Sequence, residues 1–109
     1  MEQDSERRRA ERVEISQLIL LGLFREEWIN AETVDLSQTG FRFRSAEEFD
    51  PGSELYVQID VDGDPVLAWA VIVHTRTLDE GTFEAGCEFT RFHGASKRLL
   101  ERHLETLAG

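Results

Sequence analysis

The stretch ELYVQIDVDGDPVLAWAVIV, from Glu54 to Val73, decides how this chain folds. Its first half alternates strictly, with Leu55, Val57, Ile59 and Val61 on one side and Glu54, Tyr56, Gln58 and Asp60 on the other. A period of two marks a β-strand buried on one face, because successive side chains point to opposite sides of a sheet. Asp62-Gly63 follows, a pair that favours a tight hairpin because both positions accept left-handed backbone. Val66 to Val73 is then almost wholly apolar, as a central strand would be.

The same rhythm continues outward in both directions. Asp79-Glu80-Gly81 marks a second hairpin, after which Phe83, Ala85, Cys87 and Phe89 are predicted to face inward and Glu84, Gly86 and Glu88 outward. From about Ala95 the period becomes helical, with Leu99, Leu100, His103, Leu104 and Leu107 on one stripe. Toward the amino terminus, Pro51-Gly52 punctuates a turn. Before it, a strand from Gly40 to Arg44 points Phe41 and Phe43 one way and Arg42 and Arg44 the other. Another strand is expected from about Ile29 to Leu36. The first begins at Val13, where Val13, Ile15, Ile19, Leu21 and Leu23 alternate and the intervening Leu18 and Leu20 imply burial on both sides. Trp28 and Trp69 read as core or interface aromatics.

Six short strands separated by turn signals, then one helix, predict an all-β fold: a closed six-stranded antiparallel barrel with a C-terminal α-helix packed on it. Residues 1–12 are polar and lack an apolar face, so they are expected to form a flexible arginine-rich arm ahead of a barrel domain at 13–109.

The 109 residues suffice for one modest core, and 40% hydrophobic with 31% charged residues describes a globular chain. No apolar run approaches a membrane span, so membrane insertion is not expected. The charged first dozen residues do not read as a signal peptide. A single cysteine cannot close an internal disulfide, which makes a reducing, cytoplasmic setting the simplest expectation. The net charge of -10 opposes binding to nucleic acid or anionic membranes. Yet Arg7, Arg8, Arg9 and Arg12 all lie within the first dozen positions, so an anionic ligand would meet a locally basic arm.

Two clusters carry the chemistry. Arg8 and Arg12 stand four residues apart, and Asp35-Leu36-Ser37-Gln38-Thr39-Gly40 follows about twenty residues later. Guanidinium donors suit phosphate oxygens and the O6/N7 edge of guanine. An ionised Asp only accepts, so it suits guanine's N1–H and N2–H donors. Ser37 adds a hydroxyl, and Gly40 lets the backbone pass where a Cβ would obstruct it. A guanine nucleotide uses every one of these groups.

These residues resemble the PilZ domain, a bacterial receptor for cyclic di-GMP. The likeness rests on Arg8 and Arg12, on Asp35-x-Ser37-x-x-Gly40, and on Gly86-Cys87-Glu88-Phe89, and it spans roughly Arg7 to Leu107. The resemblance implies a ligand-binding set of Arg7, Arg8, Arg12, Asp35, Ser37, Gly40 and Gly86. The arm would fold over cyclic di-GMP, Asp35 and Ser37 would hold one guanine from a turn at the barrel surface, and Arg7 would favour two stacked ligand molecules. It further implies a receptor without catalytic chemistry or cofactor, signalling to an effector protein. Thr39 departs from the family pattern, standing where many members have a second Gly, and His74 stands where similar domains often carry Arg.

Other motifs read as structural. Asp60-x-Asp62-x-Asp64 lacks the spacing of a calcium loop, His74, His93 and His103 share no metal-ligand spacing with Cys87, and Cys87 alternates with core residues. Glu26-Glu27 and Glu47-Glu48 read as solvated charge. The competing functional reading is a protein-interaction adaptor of the same fold that does not bind nucleotide.

Overall fold

The computed structural model describes residues 12–24 and 27–108. The chain forms β1 (Val13–Glu14), β2 (Leu18–Phe24), β3 (Glu27–Leu36), β4 (Gly40–Ser45), β5 (Glu54–Val61), β6 (Asp64–Asp79), β7 (Thr82–Phe92) and one helix, α1 (Ser96–Ala108). The strands run in the order β1-β3-β2-β5-β6-β7-β4, and β4 also pairs with β3. That last pairing closes β2 to β7 into a six-stranded antiparallel barrel, with β1 as a two-residue appendage on β3. The barrel and helix are those expected from the period-two pattern. Closure leaves no long unpaired edge, the usual weak point of an open sheet.

The alternation of β5 is fully realised: Leu55, Val57, Ile59 and Val61 are buried beside Val66, Ala68, Ala70 and Ile72 of β6. Phe41 and Phe43 add two completely buried rings from β4, and Leu100 and Leu104 of α1 join the same core. The helix is tied to the barrel at its start, where Ser96 Oγ accepts the Leu67 backbone N–H at 2.9 Å and the His93 N–H donates to Leu67 O at 3.0 Å. His103 lies on the apolar stripe with both ring nitrogens buried and without a hydrogen bond, Nδ1 standing 4.0 Å from a carboxylate oxygen of Asp62.

Four expectations need correction or narrowing. The first predicted strand is interrupted at 15–17, where Thr33 Oγ1 of β3 donates to Ile15 O and accepts the Gln17 N–H. Leu18 is 76% exposed, because no layer of the described residues packs over the outer face where it opposes Glu32. Of the two places left open for Trp28 and Trp69, the core is excluded: both stand on the outside, and with Tyr56 they make a ladder of edge-to-face rings 6.0 and 4.8 Å apart. Gly22 lies beneath Trp28, and Arg91 stacks over Trp69. Finally, Glu84 occupies an outward register position yet is buried, for a reason that belongs to the site below.

Candidate functional site

Pairing between β3 and β4 steps from Thr33↔Phe43 to Asp35↔Arg42, skipping Val34. The skipped residue makes a β-bulge, an extra residue that resets which side chains share a face. Without it Val34 would stand opposite Arg42; with it, a carboxylate does. Asp35 therefore points to the outer face beside Arg42, although it is only 1% exposed. Two guanidiniums cover it. Arg12 Nη1 donates to Oδ1 at 2.8 Å and Arg42 Nε donates to Oδ2 at 2.5 Å. Burying a lone carboxylate is costly, and a partner on each oxygen offsets that penalty. The hydrogen bond to Asp35, and after it the charges of Asp35, Glu84 and Glu14, raise the Arg42 guanidinium above its ordinary value; desolvation opposes them in part.

Arg42 also reaches the strand on its other side. Its Nη1 lies 3.4 Å from Glu84 Oε1, Arg44 Nε lies 3.4 Å from Oε2, and an Arg76 nitrogen lies 3.3 Å from Oε1. These three side chains roof Glu84 and explain its burial. Their contacts are longer than the 2.7–2.9 Å usual for charge-assisted hydrogen bonds. Four arginines thus surround two buried carboxylates, with Glu14 paired beside Asp35 and Glu32 opposite Arg44, so that the face is a dense network of both signs.

The turn between β3 and β4 is built by Ser37. Its backbone N–H donates to Gly40 O at 2.8 Å, and its Oγ accepts the N–H groups of Thr39 and Gly40, each at 3.2 Å. The hydroxyl is fully buried and works within the turn, where the sequence had offered it to a ligand. Thr39 imposes no strain, since among the described residues Asp62 is the one non-glycine with positive φ. Gly40 is required for close approach rather than turning freedom: a Cβ there would lie 2.0 Å from the carbonyl oxygen of Cys87 on β7. Gly86, paired with Arg42 on one side and His74 on the other, is roofed by the His74 imidazole, whose Nε2 lies 2.2 Å from the site of a Cβ.

The structure brings together Arg12, Asp35, Ser37, Gly40 and Gly86. Arg7 and Arg8 lie outside the described residues, as does most of the expected arm at 1–12. The turn sits at the barrel surface, but its carboxylate and hydroxyl are covered. Sequence reasoning noticed that Arg42 and Arg44 point outward without giving them partners, and it placed Glu84 on the outward side of its strand, likewise without a partner. The only signal was their outward parity; the β4–β7 register that joins them is a property of the closed barrel. Cys87 is buried, and burial pushes its thiol up to about 12, so it offers no thiolate at neutral pH. Among the described residues, no group of three His, Cys, Asp or Glu side chains is placed to hold a metal, and no helix is long and apolar enough to cross a membrane.

Solved structures share this architecture. The PilZ domain of YcgR from Escherichia coli with c-di-GMP aligns at a TM-score of 0.73 and 16% identity, covering 94% of this chain and 92% of that one. The K. pneumonia MrkH–c-di-GMP complex aligns at 0.72 and 18%, covering 94% and 52%. The Bacillus subtilis inhibitor of motility MotI/DgrA aligns at 0.72 and 16%, covering 87% and 48%. The chain thus spans about half the length of MotI and MrkH. At these identities the likeness concerns the fold. Among curated proteins none matches by sequence. The PilZ domain profile matches residues 6–106, nearly the whole chain, and on that match together with the barrel the chain belongs to the PilZ domain family.

Proposed function

We propose that this chain is a receptor for cyclic di-GMP that performs no chemistry and passes its signal to an effector protein. The observation that carries the reading is the convergence of two motifs 23 residues apart, Arg12 of the arm meeting Asp35 of the turn at 2.8 Å. Arg8 and Arg12 take ligand phosphate and the acceptor edge of guanine, and Asp35 takes guanine's N1–H and N2–H. Ser37 and Gly40 set the turn from which Asp35 projects. Gly86 adds no side chain of its own beside Arg42, leaving that space to the His74 imidazole, and Arg7 extends the basic arm toward a second stacked ligand. YcgR and MrkH, which share the fold, hold c-di-GMP in their structures. The receptor acts in the cytoplasm, where the arm at 1–12 orders over the ligand and changes the surface offered to the effector.

Calorimetric titration tests this directly, with cyclic di-GMP, cyclic di-AMP and GTP as ligands. Cyclic di-GMP should bind with a micromolar or lower Kd, about -8 kcal/mol or better. Cyclic di-AMP should bind far more weakly, since adenine offers no donor pair for Asp35. Equal affinity for the two dinucleotides would remove Asp35 from the recognition scheme. A second reading, a nucleotide-free adaptor, draws on the burial of Asp35 with both oxygens occupied. It requires that none of the three ligands bind.

A further inference from the structure

Asp35 as it stands has nothing to offer a guanine. Each oxygen already accepts from a guanidinium, and the carboxylate is almost wholly shielded from solvent. Each oxygen keeps a second lone pair, but at 1% exposure neither is open to a ligand, so a base presenting two donors in a plane needs the guanidiniums that cover Asp35 to leave or turn aside. Arg12 has an evident destination, because phosphate competes for a guanidinium at the mouth of the arm. Arg42 is anchored in the middle of β4 and cannot follow it.

The geometry points to Glu84 as the positioning residue that receives Arg42, so that the guanidinium passes from Asp35 on β3 to Glu84 on β7 as guanine takes its place. This rests on the cyclic di-GMP reading and adds to it a residue outside the recognised motifs. Three observations support it. Arg42 is flanked by both carboxylates at once, Nε at 2.5 Å from Asp35 and Nη1 at 3.4 Å from Glu84. The contact is tight on one side and loose on the other, so shortening the second while breaking the first takes only a small rotation of the side chain. Glu84 is not saturated either, since all three of its arginines stand 3.3–3.4 Å away, leaving room for one of them to close to hydrogen-bond length. Gly86, directly opposite Arg42, places no side chain of its own in the path, and the His74 imidazole that lies over it is an exposed side chain rather than backbone.

The charges remain matched through the exchange. Before binding, Asp35 is neutralised by Arg12 and Arg42. Afterwards Arg12 faces phosphate, Asp35 accepts two neutral N–H donors, and Arg42 pairs with a carboxylate that already lies buried beneath it. Without Glu84, displacing Arg42 would leave its charge facing Arg44 and Arg76 unscreened, and Arg42 would hold to Asp35 against the ligand.

A double-mutant cycle isolates this coupling. Cyclic di-GMP affinity is measured by calorimetry for the wild-type chain, Glu84→Gln, Arg42→Ala and the double variant, each checked for a folded barrel by its unfolding transition. Glu84→Gln should weaken binding roughly tenfold when Arg42 is present and less than about twofold when it is absent. Glu84→Asp keeps the charge but withdraws it by one methylene, and should give a smaller loss with the same dependence on Arg42; it replaces Glu84→Gln if that variant does not fold. In the wild-type chain, the Arg42 Nε–H resonance should move on saturation with ligand. Equal losses from the Glu84 substitution in both backgrounds, or an Arg42 Nε–H resonance unchanged by ligand, would overturn the transfer while leaving the ligand assignment standing. No binding of cyclic di-GMP by the wild-type chain would overturn both.

Discussion

Replacing Gly40 with Ala adds one carbon at the seam where the barrel closes. That carbon would lie 2.0 Å from Cys87 O, 3.0 Å from Cys87 C and 3.1 Å from Glu88 Cα. A carbon and a carbonyl oxygen tolerate about 3.3 Å, so β4 and β7 must separate by roughly 1 Å. All three obstructing atoms are backbone, and none can rotate away. The separation acts on the bond from the Phe89 N–H to Thr39 O, now 2.8 Å, and on the Gly40↔Glu88 pairing. Losing about two backbone hydrogen bonds costs roughly 1–3 kcal/mol, more if a group is left buried and unpaired. Disturbed packing of the neighbouring Phe41 brings the total to about 2–4 kcal/mol. For a domain of this size that corresponds to a fall in Tm of roughly 10–20 °C. Urea and thermal unfolding of Gly40→Ala against wild type measure it. A change below about 0.5 kcal/mol would falsify the close-approach account and return Gly40 to the role of a flexible turn residue.

Gly86→Ala is the contrasting case: the obstacle is the imidazole of His74, a mobile and exposed side chain, so the same unfolding assay should show a loss below about 1 kcal/mol. The Arg8→Ala, Arg12→Ala double variant should still fold, with some stability lost because buried Asp35 gives up one guanidinium, yet lose cyclic di-GMP affinity by roughly 30-fold to 10,000-fold, each contact contributing about 1–3 kcal/mol; wild-type-like calorimetry would count against the arm. Cys87 carries a pH signature. Its thiol stands near 12 in the folded barrel, above its ordinary value of 9.0, so the neutral form is favoured by folding. The associated stability is complete below about pH 9 and is lost as pH rises toward 12, by up to about 4 kcal/mol. Cys87→Ala should therefore show a shallower fall in stability across that range, read from urea midpoints, and native wild-type protein should resist alkylation at pH 8.

The strand pattern was legible because burial on one face imposes a period of two on the residues themselves. Leu55 to Val61, the pair Phe41 and Phe43, and Leu100 with Leu104 all occupy the core that their spacing predicts. The order of turns and strands, with the Arg8–Arg12 and Asp35–Gly40 motifs upon it, was enough to point to the family. Sequence also put Arg42 and Arg44 on the outer face, since parity follows from local geometry alone.

What sequence could not supply was any property that depends on which strands become neighbours. The bulge at Val34, which sets Asp35 rather than Val34 against Arg42, exists only in the pairing of β3 with β4. Glu84 becomes a buried partner of three arginines only once β7 lies between β4 and β6. The same holds for Gly40, whose need to lack a side chain arises from a carbonyl 47 residues away at Cys87. For Trp28 and Trp69 sequence left core and interface open; register put the rings on the outer face of β2, β5 and β6, which no layer of the described residues covers. Periodicity is a short-range consequence of burial and is written along the chain. Register, closure and the charge network are long-range consequences of pairing, and only the folded barrel fixes them.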